Sequence, residues 1–79
     1  MVVVSYSDGF EQAVKRLDPS LKEKLKKQII KIITNPLTGK PMRYERKGTR
    51  EVYVKPYRLA YAYIDEKIIF LDFYHKKEQ

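Results

Sequence analysis

The chain contains no cysteine, one histidine and only ten acidic residues in 79 positions. Without cysteine it has neither disulfides nor thiolate metal ligands, and a single histidine gives no basis for a structural zinc site. Chains without cysteine are typical of reducing compartments, so we expect a cytoplasmic location. The apolar run at residues 1–4 is too short for a signal peptide or a membrane span, so no membrane association is expected.

Basic residues dominate the charge. Seventeen Lys and Arg give a formal net charge of +7 and a pI near 9.7. Such an excess favours polyanionic partners through counterion release, which makes a nucleic acid or an acidic protein a better candidate than anionic lipid. The alternative is a solvated, lysine-rich surface of the kind found in heat-adapted proteins.

The length predicts a single domain spanning residues 1–79. A chain of this size buries only about 60% of the surface that its extended form exposes, so its stability margin is small. Small domains without disulfides or metals often gain stability from a partner.

Two amphipathic helices are predicted in the first half of the chain. Ser7 or Asp8 caps the first helix, and Asp18 caps the second, with Pro19 at its first position. Asn35-Pro36 ends the second helix, because the residue before proline avoids the α conformation. The apolar faces consist of Phe10, Ala13, Val14 and Leu17 in the first helix and of Leu21, Leu25, Ile29, Ile32 and Ile33 in the second.

Strands are predicted at both ends of the chain. The apolar run 2–6 is typical of a strand covered on both faces. A loop over residues 35–48 follows the helices and includes a short strand around 42–45. The alternating runs that form a terminal meander are 50–54, 57–64 and 67–74. The fold class is therefore α+β, with two N-terminal helices packed on an antiparallel sheet in the order β-α-α-β-β-β.

The terminal meander brings cations together at one edge of the sheet. With a two-residue turn at Asp65-Glu66, Arg58 lies opposite Phe73, and His75 lies opposite Pro56. The basic residues at this edge are Lys55, Arg58, His75, Lys76 and Lys77. We predict that Arg58 and His75 share an exposed pocket able to hold a phosphodiester, since a guanidinium binds phosphate and an imidazole transfers protons.

Each of these two residues also has a structural interpretation. His75 is alternatively a solvated residue in a fraying tail. Arg58 is alternatively a partner of Asp72 or Asp65 on the adjacent strand.

The loop before the meander is strongly basic. It contains Lys40, Arg43, Arg46 and Lys47, and Arg50 follows at the start of the next strand. This cluster suits a track for RNA phosphates, although such clusters are more often solvated loops.

The residues described above also carry a family resemblance. The sequence Tyr57-Arg58-Leu59-Ala60-Tyr61, followed by Ile64-Asp65-Glu66-Lys67, resembles the RelE/ParE toxin superfamily. The similarity extends from Asn35-Pro36 through Gly39-Lys40-Pro41 and Lys47-Gly48 to the basic tail, and so covers essentially the whole chain. It implies a RelE-like type II toxin that acts as a metal-independent mRNA endoribonuclease, usually in the ribosomal decoding site.

The resemblance also implies partners. They are mRNA, the ribosome and a cognate RelB-like antitoxin that holds the toxin inactive. Neither a cofactor nor a small-molecule ligand is expected.

Carried over residue by residue, the resemblance assigns roles. Arg58 matches the arginine that stabilises the transition-state phosphate, and His75 matches the tail histidine of YoeB-like and YafQ-like branches. Lys76 or Lys77 matches the basic tail residue of RelE proper, and Arg50 is a candidate substitute for its strand lysines. The implied RNA-binding residues are Lys40, Arg43, Arg46, Lys47, Lys55 and Lys77.

The sequence also departs from RelE proper. Glu51 and Tyr53 stand where RelE has lysines, and no terminal tyrosine follows the basic tail. The alternative function is therefore ParE-like inhibition of DNA gyrase without RNA cleavage, or an inactive toxin homologue that acts only through its antitoxin complex.

Overall fold

The computed structural model describes residues 2–41 and 48–75. Its elements are β1 Val3–Tyr6, α1 Asp8–Lys15, α2 Pro19–Thr34, β2 Lys40–Pro41, β3 Thr49–Val54, β4 Tyr57–Ile64 and β5 Lys67–His75. This order confirms the predicted α+β class, with the two-residue strand β2 added before the meander. The strand predicted around residues 42–45 lies outside the described residues. None of the described helices is long and apolar enough to cross a membrane.

The five strands form one sheet in the order β1-β5-β4-β3-β2. Strands β2 to β5 pair antiparallel, as predicted, whereas β1 pairs parallel with β5. The sheet is therefore mixed. The helical hairpin between β1 and the rest of the sheet allows this parallel pairing, since parallel strands need a long crossover connection.

The helix boundaries follow from capping. The Phe10 N–H donates to the Ser7 hydroxyl at 3.1 Å, and the Leu21 N–H donates to the Asp18 carboxylate at 2.8 Å. Each cap satisfies a backbone donor that has no partner within the helix. Ser7 also donates to the Leu71 carbonyl at 2.7 Å, which ties the start of α1 to β5.

One hydrophobic core lies between the helices and one face of the sheet. The helices contribute Phe10, Leu25 and Ile32, each at most 4% exposed. The sheet contributes Val54, Leu59, Tyr61, Ile68, Phe70 and Phe73. Burying an aliphatic or aromatic side chain of this size contributes about 1.5–3 kcal/mol, so this layer holds the helices against the sheet.

Strand β1 differs from its prediction. It lies at the edge of the sheet, and Val3 and Tyr6 are 60% and 46% exposed. The prediction of a strand covered on both faces is therefore wrong. The helices cover only one face of the sheet. A continuous apolar run predicts a strand but does not show that both of its faces are buried.

A β-bulge sets the register of the meander. Ile64 pairs with Lys67 across the predicted two-residue turn, but the register shifts by one between Ala60 and Tyr61. Leu71 on β5 is the extra residue, since Asp72 and Phe70 are the partners on either side of it. A one-residue shift moves every side chain beyond it to the opposite face relative to its expected neighbours.

Candidate functional site on the open face of the sheet

The face of the sheet turned away from the helices, here called the open face, carries a group of polar side chains. Residues paired directly across antiparallel strands share a face. Two rows result: Lys40, Glu51, Ala60 and Asp72 form one, and Tyr53, Arg58 and Tyr74 form the next. The row that contains Leu59 and Phe73 belongs to the core on the other side.

Glu51 is the centre of this group. Arg58 Nη1 donates to Glu51 Oε1 at 2.5 Å, and the Tyr74 hydroxyl donates to Glu51 Oε2 at 3.2 Å. Both carboxylate oxygens are thus engaged, yet the Arg58 and Glu51 side chains remain 28% and 21% exposed. Arg58 Nε is buried and has no hydrogen-bond partner within the described part of the chain.

An open cleft of about 370 Å³ gives access to these groups. Its lining consists of Thr38, Lys40, Glu51, Val52, Tyr53 and Arg58. An ion-paired carboxylate and guanidinium, Glu51 and Arg58, therefore line one solvent-accessible depression together with Lys40. Such a set can accept a proton and bind an anionic oxygen at neighbouring positions.

The predicted pocket shared by Arg58 and His75 is wrong. His75 pairs with Tyr57, and Arg58 pairs with Tyr74, so the two predicted pairings with Pro56 and Phe73 are both displaced by one residue. Adjacent residues on a strand point to opposite faces, which places Arg58 on the open face and His75 on the helix side.

The ring contacts agree with this placement. The His75 ring lies edge-on to Tyr57 at 5.3 Å, and Tyr57 stacks on Phe73 of the core at 4.8 Å. The predicted pairings assumed an ideal hairpin without a bulge. The bulge at Leu71 shifts the register by one residue, and this shift places His75 and Arg58 on opposite faces.

Arg58 also lacks the partners considered for it in the sequence. Its carboxylate partner is Glu51 on β3 rather than Asp72 or Asp65. The pairing of Arg58 with Glu51 could have been predicted from the alternation of side chains along β3. The short Lys55-Pro56 turn places Tyr53 opposite Arg58, which brings Glu51 to the same face two residues away.

Arg50 lies away from the cleft. It pairs with Tyr61, a residue of the core face, and its Nη1 donates to the carbonyls of Leu37 and Gly39 at 3.2 and 2.6 Å. The structure therefore does not bring Arg50 together with Arg58. Arg50 instead holds the loop that leads into β2.

Tyr61 binds the same loop from the core face of the sheet. Its hydroxyl donates to the Pro36 carbonyl at 2.6 Å and accepts from the Gly39 N–H at 3.0 Å. Burial raises the pKa of the Tyr61 phenol, while the Gly39 hydrogen bond and the nearby Arg50 charge oppose that rise. A Cβ on Gly39 would lie 2.8 Å from this hydroxyl, so glycine is needed for the close approach. Sequence reasoning missed this arrangement because its partners are more than twenty residues apart.

The remaining predicted cations separate into three groups. Lys40 lies in the cleft, whereas Lys55 lies in a different groove beside α2. The predicted residues Arg43, Arg46, Lys47, Lys76 and Lys77 lie outside the described residues. Within residues 2–41 and 48–75, no three His, Cys, Asp or Glu side chains form a metal-binding cluster.

Comparison with known proteins connects this fold to toxins. The sequence profile described as the ParE toxin of type II toxin-antitoxin system, parDE, matches residues 4–79. No curated protein sequence matches the chain. The match over nearly the whole length agrees with the resemblance drawn from the Tyr57-Arg58 motif and the helix stop at Asn35-Pro36.

Solved structures show the same architecture. YafQ from E. coli superposes with a TM-score of 0.80 at 25% identity, over 99% of this chain and 97% of YafQ. A chain of the intact E. coli RelBE toxin-antitoxin complex gives 0.82 at 18% identity, over 95% and 96%. A chain of the archaeal RelE-RelB complex from Pyrococcus horikoshii gives 0.80 at 14% identity, over 99% and 98%. The RelE-like fold predicted from the sequence is confirmed.

Proposed function

Because the chain belongs to the ParE toxin family of type II toxin-antitoxin systems, we propose that it acts as a metal-independent endoribonuclease that cuts mRNA and stops translation. The observation that carries this proposal is the Glu51 carboxylate, held by Arg58 and Tyr74 in an open cleft beside Lys40. A proton acceptor next to phosphate-binding cations is the minimum needed to cleave RNA without a metal.

Cleavage uses the ribose 2′-hydroxyl of the substrate as the nucleophile. Glu51 accepts the proton of this hydroxyl as the 2′-oxygen attacks the adjacent phosphorus. The bond from phosphorus to the 5′-oxygen then breaks. Arg58 and Lys40 bind the phosphate oxygens and stabilise the extra negative charge. The Tyr74 hydroxyl, already hydrogen-bonded to Glu51, gives a proton to the departing 5′-oxygen and recovers it from the carboxyl group.

His75 has no part in this scheme, because it lies on the helix side of the sheet against Tyr57. The sequence-based role for His75 as the acid or base stays a prediction. The variants Glu51→Gln and His75→Ala distinguish this role of His75 from the scheme in which Glu51 accepts the proton.

The test is expression of the toxin from an inducible promoter, followed by primer extension on cellular mRNA. We expect discrete cleavage sites for the parent chain, and loss of about 10²–10⁴ in cleavage rate for Glu51→Gln. Arg58→Ala removes a phosphate-binding cation, so we expect a similar loss of about 10²–10³. Asp72→Asn is the matched control, since it makes the same carboxylate-to-amide change in the same row of the open face.

A toxin that cleaves mRNA in its own cell needs a partner that inhibits it. Chains of the E. coli RelBE and DinJ-YafQ toxin-antitoxin complexes have the same fold as this chain. A RelB-like antitoxin, with acidic segments that complement the +7 charge, is therefore our proposed partner for this chain. The other proposed partners are mRNA and the ribosome, and the proposed location is the cytoplasm.

One observation favours a second candidate function. The ion pair with Glu51 neutralises Arg58, which suits a toxin that only binds its target, as in ParE-like inhibition of DNA gyrase. Intact mRNA together with a DNA-damage response in expressing cells would favour this second function and exclude the first.

A further inference from the structure

A basic groove lies beside the candidate cleft, between α2 and β3. Its volume is about 300 Å³, and its lining consists of Lys24, Lys27, Gln28, Lys31, Tyr53, Val54 and Lys55. Three of the lysines stand at positions i, i+3 and i+7 of α2, which places them on one side of the helix. The helical rise of 1.5 Å per residue spreads Lys24 and Lys31 over about 10 Å along the groove. Lys55 completes the groove from the β3–β4 turn.

Tyr53 joins this groove to the cleft. Tyr53 is a lining residue of both depressions, and it is 52% exposed. Within the described residues, β2 pairs with β3 only at Arg50 and Glu51. The edge of β3 beyond Glu51 therefore leads from the open face directly to the lysines of α2.

The groove lysines form no ion pair with the carboxylates that the structure describes. None of the four lysines lies within 4.0 Å of a carboxylate in the part of the chain that the structure describes. A positively charged groove that runs along an exposed aromatic side chain is the arrangement by which proteins bind single-stranded nucleic acid, with cations on the phosphates and the ring against a base.

We propose that the groove formed by α2 and β3 binds the single-stranded RNA segment next to the phosphodiester in the cleft. The lysines contact its phosphates, and Tyr53 stacks on the base that lies between the groove and the cleft. This inference rests on the proposed ribonuclease function and adds the path of the substrate. An acidic protein segment would satisfy the lysines but offers no base to stack on the exposed Tyr53, which is why RNA is the better occupant.

The test measures binding rather than cleavage. The probe is a fluorescein-labelled, single-stranded 2′-O-methyl oligoribonucleotide, which lacks the nucleophilic hydroxyl and stays intact. The groove variant is Lys24→Gln/Lys27→Gln/Lys31→Gln, because glutamine preserves helix propensity. The control is Lys15→Gln/Lys22→Gln/Lys26→Gln, which makes the same change in net charge at helix positions that do not line the groove.

We expect the groove variant to lower the slope of log K against log salt by about 2, since each phosphate contact to a single strand contributes about 0.7. The control should keep a slope close to that of the parent chain. Tyr53→Ala should weaken binding by about tenfold or more, and Tyr53→Phe should keep the parent affinity, because stacking needs the ring and not the hydroxyl.

Three outcomes would overturn the inference. Equal slope changes in the groove and control variants would show a general charge effect. Unchanged RNA binding by the groove variant would place the RNA elsewhere. Loss of binding to a labelled poly-glutamate peptide, with RNA binding intact, would assign the groove to an acidic protein segment. A groove variant that weakens RNA binding while the parent chain leaves cellular mRNA uncut would uphold the groove and refute the ribonuclease proposal.

Discussion

At the residue scale, substitutions in the Glu51–Arg58 pair test folding stability and the proposed cleavage activity separately. Both side chains are more than one-fifth exposed, and ion pairs in such positions contribute about 0–1 kcal/mol to folding. The pair therefore contributes little to folding, and its position in the cleft agrees with the role in cleavage that we propose for it.

We predict that Glu51→Gln lowers the free energy of unfolding by less than about 1 kcal/mol, while it removes most of the cleavage activity. His75→Ala should keep cleavage within a few-fold of the parent chain, because its ring lies on the other side of the sheet. Urea denaturation and primer extension on the same two variants give both readouts. Loss of cleavage in His75→Ala with Glu51→Gln still active would restore the role predicted from the tail histidine.

Tyr61 couples the loop before β2 to solution pH. Its phenol is buried with a pKa raised above the ordinary value of 10.0. In the unfolded chain the phenol ionises at lower pH than in the folded chain, so the folded state binds the extra proton. The stability contributed by the neutral phenol is present below pH 10.0 and is lost as pH rises through the raised pKa.

We predict two effects of Tyr61→Phe. Near neutral pH it should cost about 1–3 kcal/mol of unfolding free energy, because the Pro36 carbonyl and the Gly39 N–H lose their partner. As pH rises through 10.0 and above, the unfolding free energy of the variant should fall less steeply than that of the parent chain. Urea titrations from about neutral pH to above 10.0 measure both effects, and parallel pH profiles would contradict the assigned cause.

At the scale of elements, the β4–β5 hairpin combines a tight turn with a bulge. Asp65 and Glu66 have φ angles of 51° and 62°, the left-handed pair of a type I′ turn, which favours Asn-Gly. The turn matches the right-handed twist of the strands, so the sequence tolerates two strained residues here. The bulge at Leu71 then sets which side chains reach the open face.

We predict that Glu66→Gly raises the free energy of unfolding by about 0.5–1 kcal/mol, since glycine adopts a positive φ without steric cost. Glu66→Gln is the control, because it removes the charge and retains the Cβ. Chemical denaturation of the two variants is the measurement. A stabilisation by Gln equal to that by Gly would mean that charge, rather than backbone strain, is responsible.

At the scale of the whole molecule, the two ends of the chain complete one sheet. Strand β1 pairs with β5, and Tyr6 stacks on Phe70 at 5.5 Å. The Val3 N–H donates to the Glu66 carbonyl at 3.0 Å. In a chain of 79 residues this edge strand covers part of a small core, so its loss affects folding as a whole.

We predict that deletion of residues 2–6 lowers the free energy of unfolding by more than about 3 kcal/mol and promotes self-association through the uncovered edge of β5. Val3→Lys, at a position 60% exposed, should stay within about 0.5 kcal/mol of the parent chain. Urea denaturation and size-exclusion chromatography provide the comparison. A truncated monomer with the parental unfolding midpoint would contradict this account of β1.

The sequence alone was enough to predict the helix caps, the helix end and the hairpin turn. The caps at Ser7 and Asp18, the helix stop at Asn35 and the turn at Asp65-Glu66 all lie where the side chains predicted, because each depends on residues a few positions apart. The composition also pointed to a polyanionic partner, and the Tyr57-Arg58 motif with its flanking residues led to the family.

Tertiary structure alone decided which side chains meet. The bulge moved Arg58 and His75 to opposite faces of the sheet, and pairing across strands brought Glu51 to Arg58 and carried Arg50 to the loop carbonyls. Register and long-range hydrogen bonds depend on how two distant segments align when the core packs. Hydrophobic alternation specifies the register of a regular strand pair with one buried face, but a bulge inserts one unpaired residue and shifts the register beyond it.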